Sequence, residues 1–188
     1  MRRRRFLVFV AGLAGVGAGF GWLVQGDGPV SGAPVPAALA TPAAEAGRVA
    51  ALLRGKQGEV NFPLTMPVDL ADFVPPKVVD KHGPEKEPFV LFYLGYKADP
   101  KARISFAQTA TSFGQIQALP ASIASGVTKR DVTLLGSQAT LVTATHNKTG
   151  ANLVQLVWSH GGRTYWVEAS GVPTDRILRL LSSVQPLN

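Results

Sequence analysis

The chain contains no cysteine, which excludes disulfides, thiolate metal sites, a cysteine nucleophile and a lipid-modified cysteine behind a leader. Its core alone must hold the fold, and about 140 residues are enough for one such core. Histidine is scarce: His82, His146 and His160 are the only three. No pair has helical i, i+4 spacing and no carboxylate neighbours them at turns, so no metal site is expected unless strands bring His146 and His160 together. No Gly-x-Ser-x-Gly elbow is present, and no glycine-rich loop opens a helix in a parallel unit. These absences argue against an enzyme, with no catalytic residue and no cofactor expected. Outside Arg2–Arg5, basic residues are scattered, with no cluster longer than Lys129-Arg130. Residues 34–188 carry fifteen Lys/Arg against eleven Asp/Glu, and nucleic acid is not an expected partner.

What is present begins with an address. Arg2–Arg5 precede Phe6–Val24, nineteen residues without a charge. As a helix these span roughly 28 Å, close to the thickness of a bilayer core. A basic flank followed by an apolar run marks an export signal or membrane anchor and places the remainder outside the cytoplasm. Residues 1–24 are therefore read as a signal peptide or anchor, with the membrane as partner through residues 6–24 if the leader is uncleaved. Five glycines between Gly12 and Gly21 dilute the run, which suits transient insertion. Arg3, Arg4, Phe6 and Leu7, followed by this weakly apolar stretch, resemble a twin-arginine signal. Arg2 and Val8 depart from that motif, and general secretion stays open beside it. Ala38-Leu39-Ala40 and Ser31-Gly32-Ala33 both fit the small-x-small cleavage rule.

Residues 25–47, rich in Ala, Pro and Gly, read as a disordered tether. Residues 48–188 read as a single exported domain. A short helix is expected at 46–57, with Val49, Leu52 and Leu53 on one side, and an extended segment over 60–67. Phe89–Leu94 is an apolar run of strand length, and Arg103–Thr109 alternates as a strand with one wet face does. Residues 110–129 lack periodicity and are expected to form a loop. Asp131–Leu135, Gln138–Thr145, Ala151–Ser159 and Arg163–Ala169 are then four strands. Tight turns at Gly136-Ser137, Asn147–Gly150 and Gly161-Gly162 join them. A helix follows at 174–185 with Thr174 as N-cap and Ile177, Leu180, Leu181 and Val184 as its apolar stripe. The class is α+β: an antiparallel meander of about five to six strands with the C-terminal helix packed on one face.

The succession of Pro63–Pro76, Phe89–Leu94, Ile104–Gln108, Val132–Val142, Leu156-Val157-Trp158 and Tyr165-Trp166-Val167 resembles a known family. It is similar to an extracytoplasmic domain of unknown function found beyond membrane segments in bacterial anti-sigma factors and envelope lipoproteins. The likeness covers about residues 60–185 and implies a non-enzymatic envelope role. With no cytoplasmic domain ahead of the membrane segment, direct sigma-factor control is not implied.

A two-residue turn at Gly161-Gly162 sets Trp158 opposite Tyr165, Val157 opposite Trp166 and Gln155 opposite Glu168. Val154, Leu156, Trp158, Tyr165, Val167 and Ala169 then share a core face. The other face mixes Trp166 and Val157 with Gln155 and Glu168, a candidate surface for an apolar ligand or an envelope protein. The alternative is that residues 48–76 pack there as a lid. The expected function is an exported or membrane-tethered bacterial envelope domain, in the periplasm or at the cell surface, that binds without catalysis. Alternatives are a secreted hydrolase, which a Ser or carboxylate converging on His146 or His160 in a cleft would favour, and a lipid-carrying or sorting protein.

Overall fold

The computed structural model describes residues 41–113 and 118–187. Arg3, Arg4, Phe6 and Leu7, the apolar run 6–24 and most of the tether lie outside them. Among the described residues no helix is long and apolar enough to cross a membrane.

The first element, α1 (Pro42–Gln57), starts inside the stretch read as tether. Thr41 caps it, its Oγ1 accepting from the Ala44 amide at 3.3 Å, with Pro42 in the first turn where its missing N–H costs nothing. Glu45 on that turn takes an ion pair from Lys97 at 3.1 Å. Val49 and Leu53 are buried on the inward side.

Ten strands follow: β1 (Thr65–Pro67), β2 (Phe73–Val74), β3 (Val79–His82), β4 (Phe89–Tyr96), β5 (Asp99–Thr109), β6 (Ala124–Leu134), β7 (Ser137–His146), β8 (Asn152–His160), β9 (Arg163–Ser170) and, after α2 (Thr174–Ser182), β10 (Val184–Pro186). The sheet has eight strands rather than five to six, in the order β2-β4-β5-β9-β8-β7-β6 with β3 also on β4, and every pairing is antiparallel. Nor is it a simple meander. Two runs of successive neighbours, β3 to β5 and β6 to β9, meet where β5 lies against β9, and the long connection 110–123 carries the chain from there to the far edge. Residues 124–129, expected as loop, belong to β6.

Further differences have local causes. The β6–β7 turn is Leu135-Gly136, one residue earlier than expected. Gly136 accepts φ of 75°, and Leu135 takes φ of 51° while its side chain packs on the core. Thr174 is the first residue of α2 and not its cap; Pro173 stands there, and the Thr174 hydroxyl accepts from Asn152 Nδ2 at 3.3 Å. The helix stops at Ser182, and Val184, expected on its stripe, pairs with Pro67 in a two-stranded ribbon of β1 and β10.

Alternation gives the sheet two faces. Phe92, Ile104, Phe106, Leu141, Leu156, Trp158, Tyr165 and Val167 form the inner face, covered by α1, α2 and residues 62–73 in one core. Trp158 stacks on Tyr165 with ring centroids 4.5 Å apart, and Phe106 meets both edge-on. Buried Gln108 fixes the covering segment. Its Oε1 accepts from the Thr65 amide at 2.9 Å and its Nε2 donates to the Thr65 carbonyl at 2.9 Å. Residues 48–76 therefore cover the Trp158 face, not the Trp166 face.

Candidate functional site

The β8–β9 register is the one the two-residue turn dictates, with Trp158 opposite Tyr165, Val157 opposite Trp166 and Gln155 opposite Glu168. The neighbouring pairings extend these couples into rows across the outer face. One row runs Tyr93, Ser105, Glu168, Gln155, Val142, Lys129; the next runs Leu91, Ala107, Trp166, Val157, Thr140, Asp131. The four candidate residues are thus brought together at the centre of a wide surface.

Trp166 is not open to solvent: it is 6 % exposed. It forms a second apolar cluster with Leu91 and Ala107, against which Phe89, Phe113 and Val157 pack. Phe113, in the connection leaving β5, meets Trp166 edge-on at 6.2 Å and Phe89 at 6.0 Å. That connection leaves the sheet where Thr109 faces Thr164 and rejoins it where Ala124 faces His146, at the opposite end. At its far end the Ala121 carbonyl accepts from Asn147 Nδ2 at 2.8 Å.

Beside this cluster lies a buried polar pair. Gln155 Nε2 donates to Glu168 Oε1 at 3.1 Å, and the two residues are 6 % and 9 % exposed. Burial pushes the Glu168 carboxyl above its ordinary value, opposed by the hydrogen bond from Gln155. The other amide atom, Gln155 Oε1, is buried without a hydrogen-bond partner. An orphaned acceptor of this kind costs about 1–3 kcal/mol.

Next along the row the surface opens. Ser105 is half-buried, and Tyr93 beyond it is 54 % exposed. Val74 (46 %) and Val78 (59 %) flank Tyr93 at the β2/β3 edge. Gly95 lets Val74 close over the strand, since a Cβ there would stand 3.3 Å from Val74 Cβ. Three of the four exposed large hydrophobic side chains among the described residues therefore gather at the β2/β3 edge, with Tyr93 two strands from Glu168 across Ser105. Sequence reasoning missed Tyr93, Val74, Val78, Ser105 and Phe113. The turn at 161–162 fixes only two strands, whereas β4 and β5 join the face through long-range pairing.

The histidines do not converge. His146 ends β7 and His160 ends β8, at opposite ends of the sheet. His146 Nδ1 contacts Thr149 in its own turn, and His82 stacks on Phe89. No group of three His, Asp or Glu side chains among the described residues is placed to hold a metal. One serine approaches a histidine: Ser137 Oγ lies 3.1 Å from His160 Nδ1. They are cross-strand neighbours at two hairpin ends, two places beyond the Ala139–Trp158 pair. No carboxylate among the described residues bonds the His160 ring.

No family model, curated protein or solved structure matches this chain.

Proposed function

We propose that this chain is an exported or membrane-tethered domain of the bacterial envelope that binds a ligand or protein segment on its outer face and performs no catalysis. The observation that carries the reading is the Gln155–Glu168 pair: buried, one acceptor short of a partner, and separated only by Ser105 from Tyr93, which begins the exposed Tyr93–Val74–Val78 ledge. A fold gains nothing from an orphaned buried acceptor, whereas a bound group with an N–H or O–H satisfies it. The ligand class is accordingly an apolar body carrying a hydrogen-bond donor. Tyr93 and the valines take its apolar part, and small Ser105 leaves the way to Glu168 and Gln155. The likeness of residues 60–185 to extracytoplasmic envelope domains supports the same role.

The test is retention of bacterial envelope extract components on the immobilised chain. Tyr93→Ala and Ser105→Leu should each abolish the retention seen with the wild type. Retention unchanged in both variants would remove this face from consideration. Location is tested separately with residues 1–47 ahead of a green fluorescent protein. Fluorescent export that stops when Arg2–Arg5 become lysines supports the twin-arginine route. Export that persists without that machinery leaves general secretion.

A second reading, a secreted hydrolase, rests on the Ser137–His160 contact. In its favour is the distance; against it stands the missing acidic partner to orient the imidazole. Ester or amide hydrolysis lost in Ser137→Ala, with folding intact, would establish it. For a lipid carrier, the space over Trp166 is taken by Phe113 and Phe89.

A further inference from the structure

The two edges of the sheet are treated differently. At one, β2 and β3 pair with β4 and cap it. At the other, β6 pairs among the described residues only with β7, and seven consecutive residues of this eleven-residue strand, 125–131, are exposed. The hairpin geometry tells which backbone groups are free. Leu134 and Ser137 flank the two-residue turn, so they exchange both hydrogen bonds. Along an antiparallel pair this alternates, so Val132, Arg130 and Thr128 also bond to β7. Lys129, Asp131 and Thr133 therefore direct their N–H and C=O groups away from the sheet, with their side chains on the outer face.

From this we infer that β6 is a self-pairing edge, and that a second copy of this chain adds its β6 antiparallel to the first. The two sheets join about a two-fold axis at Arg130. That register sets Lys129 opposite Asp131 of the second copy and Asp131 opposite its Lys129. Both couples are hydrogen-bonded through the free backbone groups and are opposite in charge on the same face. Thr128 falls opposite Val132, a β-branched pair. Centring instead on Lys129 or on Asp131 sets like charges against each other in the hydrogen-bonded pair and loses both ion pairs. The cost of the chosen register is Arg130 against Arg130 on the inner side, where both long side chains are exposed and can splay into water. The contact is isologous and closes on itself, giving a dimer and not a fibre.

Because the chain has no cysteine, a single introduced thiol reads the register. In the full-length chain in mild detergent, Arg130→Cys should form a disulfide dimer on gentle oxidation. A non-hydrogen-bonded antiparallel pair holds its Cα atoms about 4.5 Å apart, within disulfide range. Thr128→Cys, equally exposed, should not cross-link, since its own copy lies about 13 Å along the strand. Adding Asp131→Pro to Arg130→Cys deletes one outward N–H and no bond to β7. It should slow cross-linking at least about tenfold. Lys129→Asp or Asp131→Lys alone should slow it, and the two together restore it. Equal cross-linking at 128 and 130, none at 130, or indifference to the proline and charge changes would each overturn the proposal. A chain that stays monomeric without cross-linking points instead to an edge kept bare or used by another protein.

Discussion

The Gln155–Glu168 pair makes a prediction that separates a stabilising role from a binding one. Replacing Glu168 by leucine leaves the Gln155 amide with neither atom bonded, and replacing Gln155 by leucine takes from the buried Glu168 carboxyl the hydrogen bond of the Gln155 amide. Each single change should cost about 1–3 kcal/mol, the penalty for stranding a buried polar group. That is a fall of roughly 2–4 °C in Tm per kcal/mol for a domain near this size. Replacing both together removes the stranded groups and the orphaned Oε1 at once. The double variant should unfold within about 1 kcal/mol of the wild type or above it, because an apolar pair of similar shape is neutral to stabilising. The acidity of Glu168 adds a second axis. Its pKa is raised in the folded state, so the folded chain holds this proton more tightly than the unfolded one. Its contribution to stability is full below the ordinary value of about 4.5 and is lost as pH rises through the folded pKa. Glu168→Gln cannot ionise, so its stability relative to the wild type should improve steadily from acid to neutral pH. Chemical denaturation of the four chains, with Glu168→Gln followed across pH, measures all of this. A double variant less stable than either single one would mean the pair holds the sheet together, and the argument for a binding role would fail.

Trp158→Ala should cost about 3–5 kcal/mol in thermal or denaturant unfolding, as large buried aromatic deletions do, since buried Trp158 stacks on Tyr165 with Phe106 edge-on to both rings. A loss below about 1 kcal/mol would be incompatible with that packing. Leu135→Gly should raise stability by up to about 1 kcal/mol by relieving the left-handed backbone at φ 51°, offset partly by the lost contact with the core. The Asp69 carboxyl is held below its ordinary value by the hydrogen bond from Arg179 at 2.7 Å. Asp69→Asn should therefore weaken the fold at neutral pH, the difference from wild type closing as pH falls through the folded pKa of Asp69.

How much of this was legible in the sequence depends on how local the determinant is. The Gly161-Gly162 turn fixes the β8–β9 register by itself, and with it the neighbours Gln155 and Glu168 and the two faces. Residues Ile177, Leu180 and Leu181 announce α2 by their spacing alone, and all three are buried. The strands that escaped notice are short and paired with distant residues. Pro67 and Pro186 sit inside β1 and β10, where a missing N–H argues against a strand, yet both are tolerated in a two-stranded ribbon. The burial of Trp166 rests on Phe113, from a stretch with no periodicity to read. Helix α1 was announced by Thr41-Pro42 and Glu45, signals hidden within an alanine- and proline-rich composition.

The ribbon of β1 and β10 also sets the order in which this molecule can be finished. Thr65 meets Pro186, and the Leu187 amide donates to the Leu64 carbonyl, so the segment that closes the core is fastened by residues made after the whole sheet. Helix α2, which supplies Ile177, Leu180 and Leu181 to the inner face, is made just before them. A chain emerging from the ribosome therefore carries an incompletely covered inner face until residues 174–187 have been made. Such long-range closure is slow to nucleate, which lengthens the interval in which a chaperone must shield the exposed apolar surface. Loss of the β10 pairing, as in a chain cut after Ser183, should thus affect folding yield far more than its small contact area suggests.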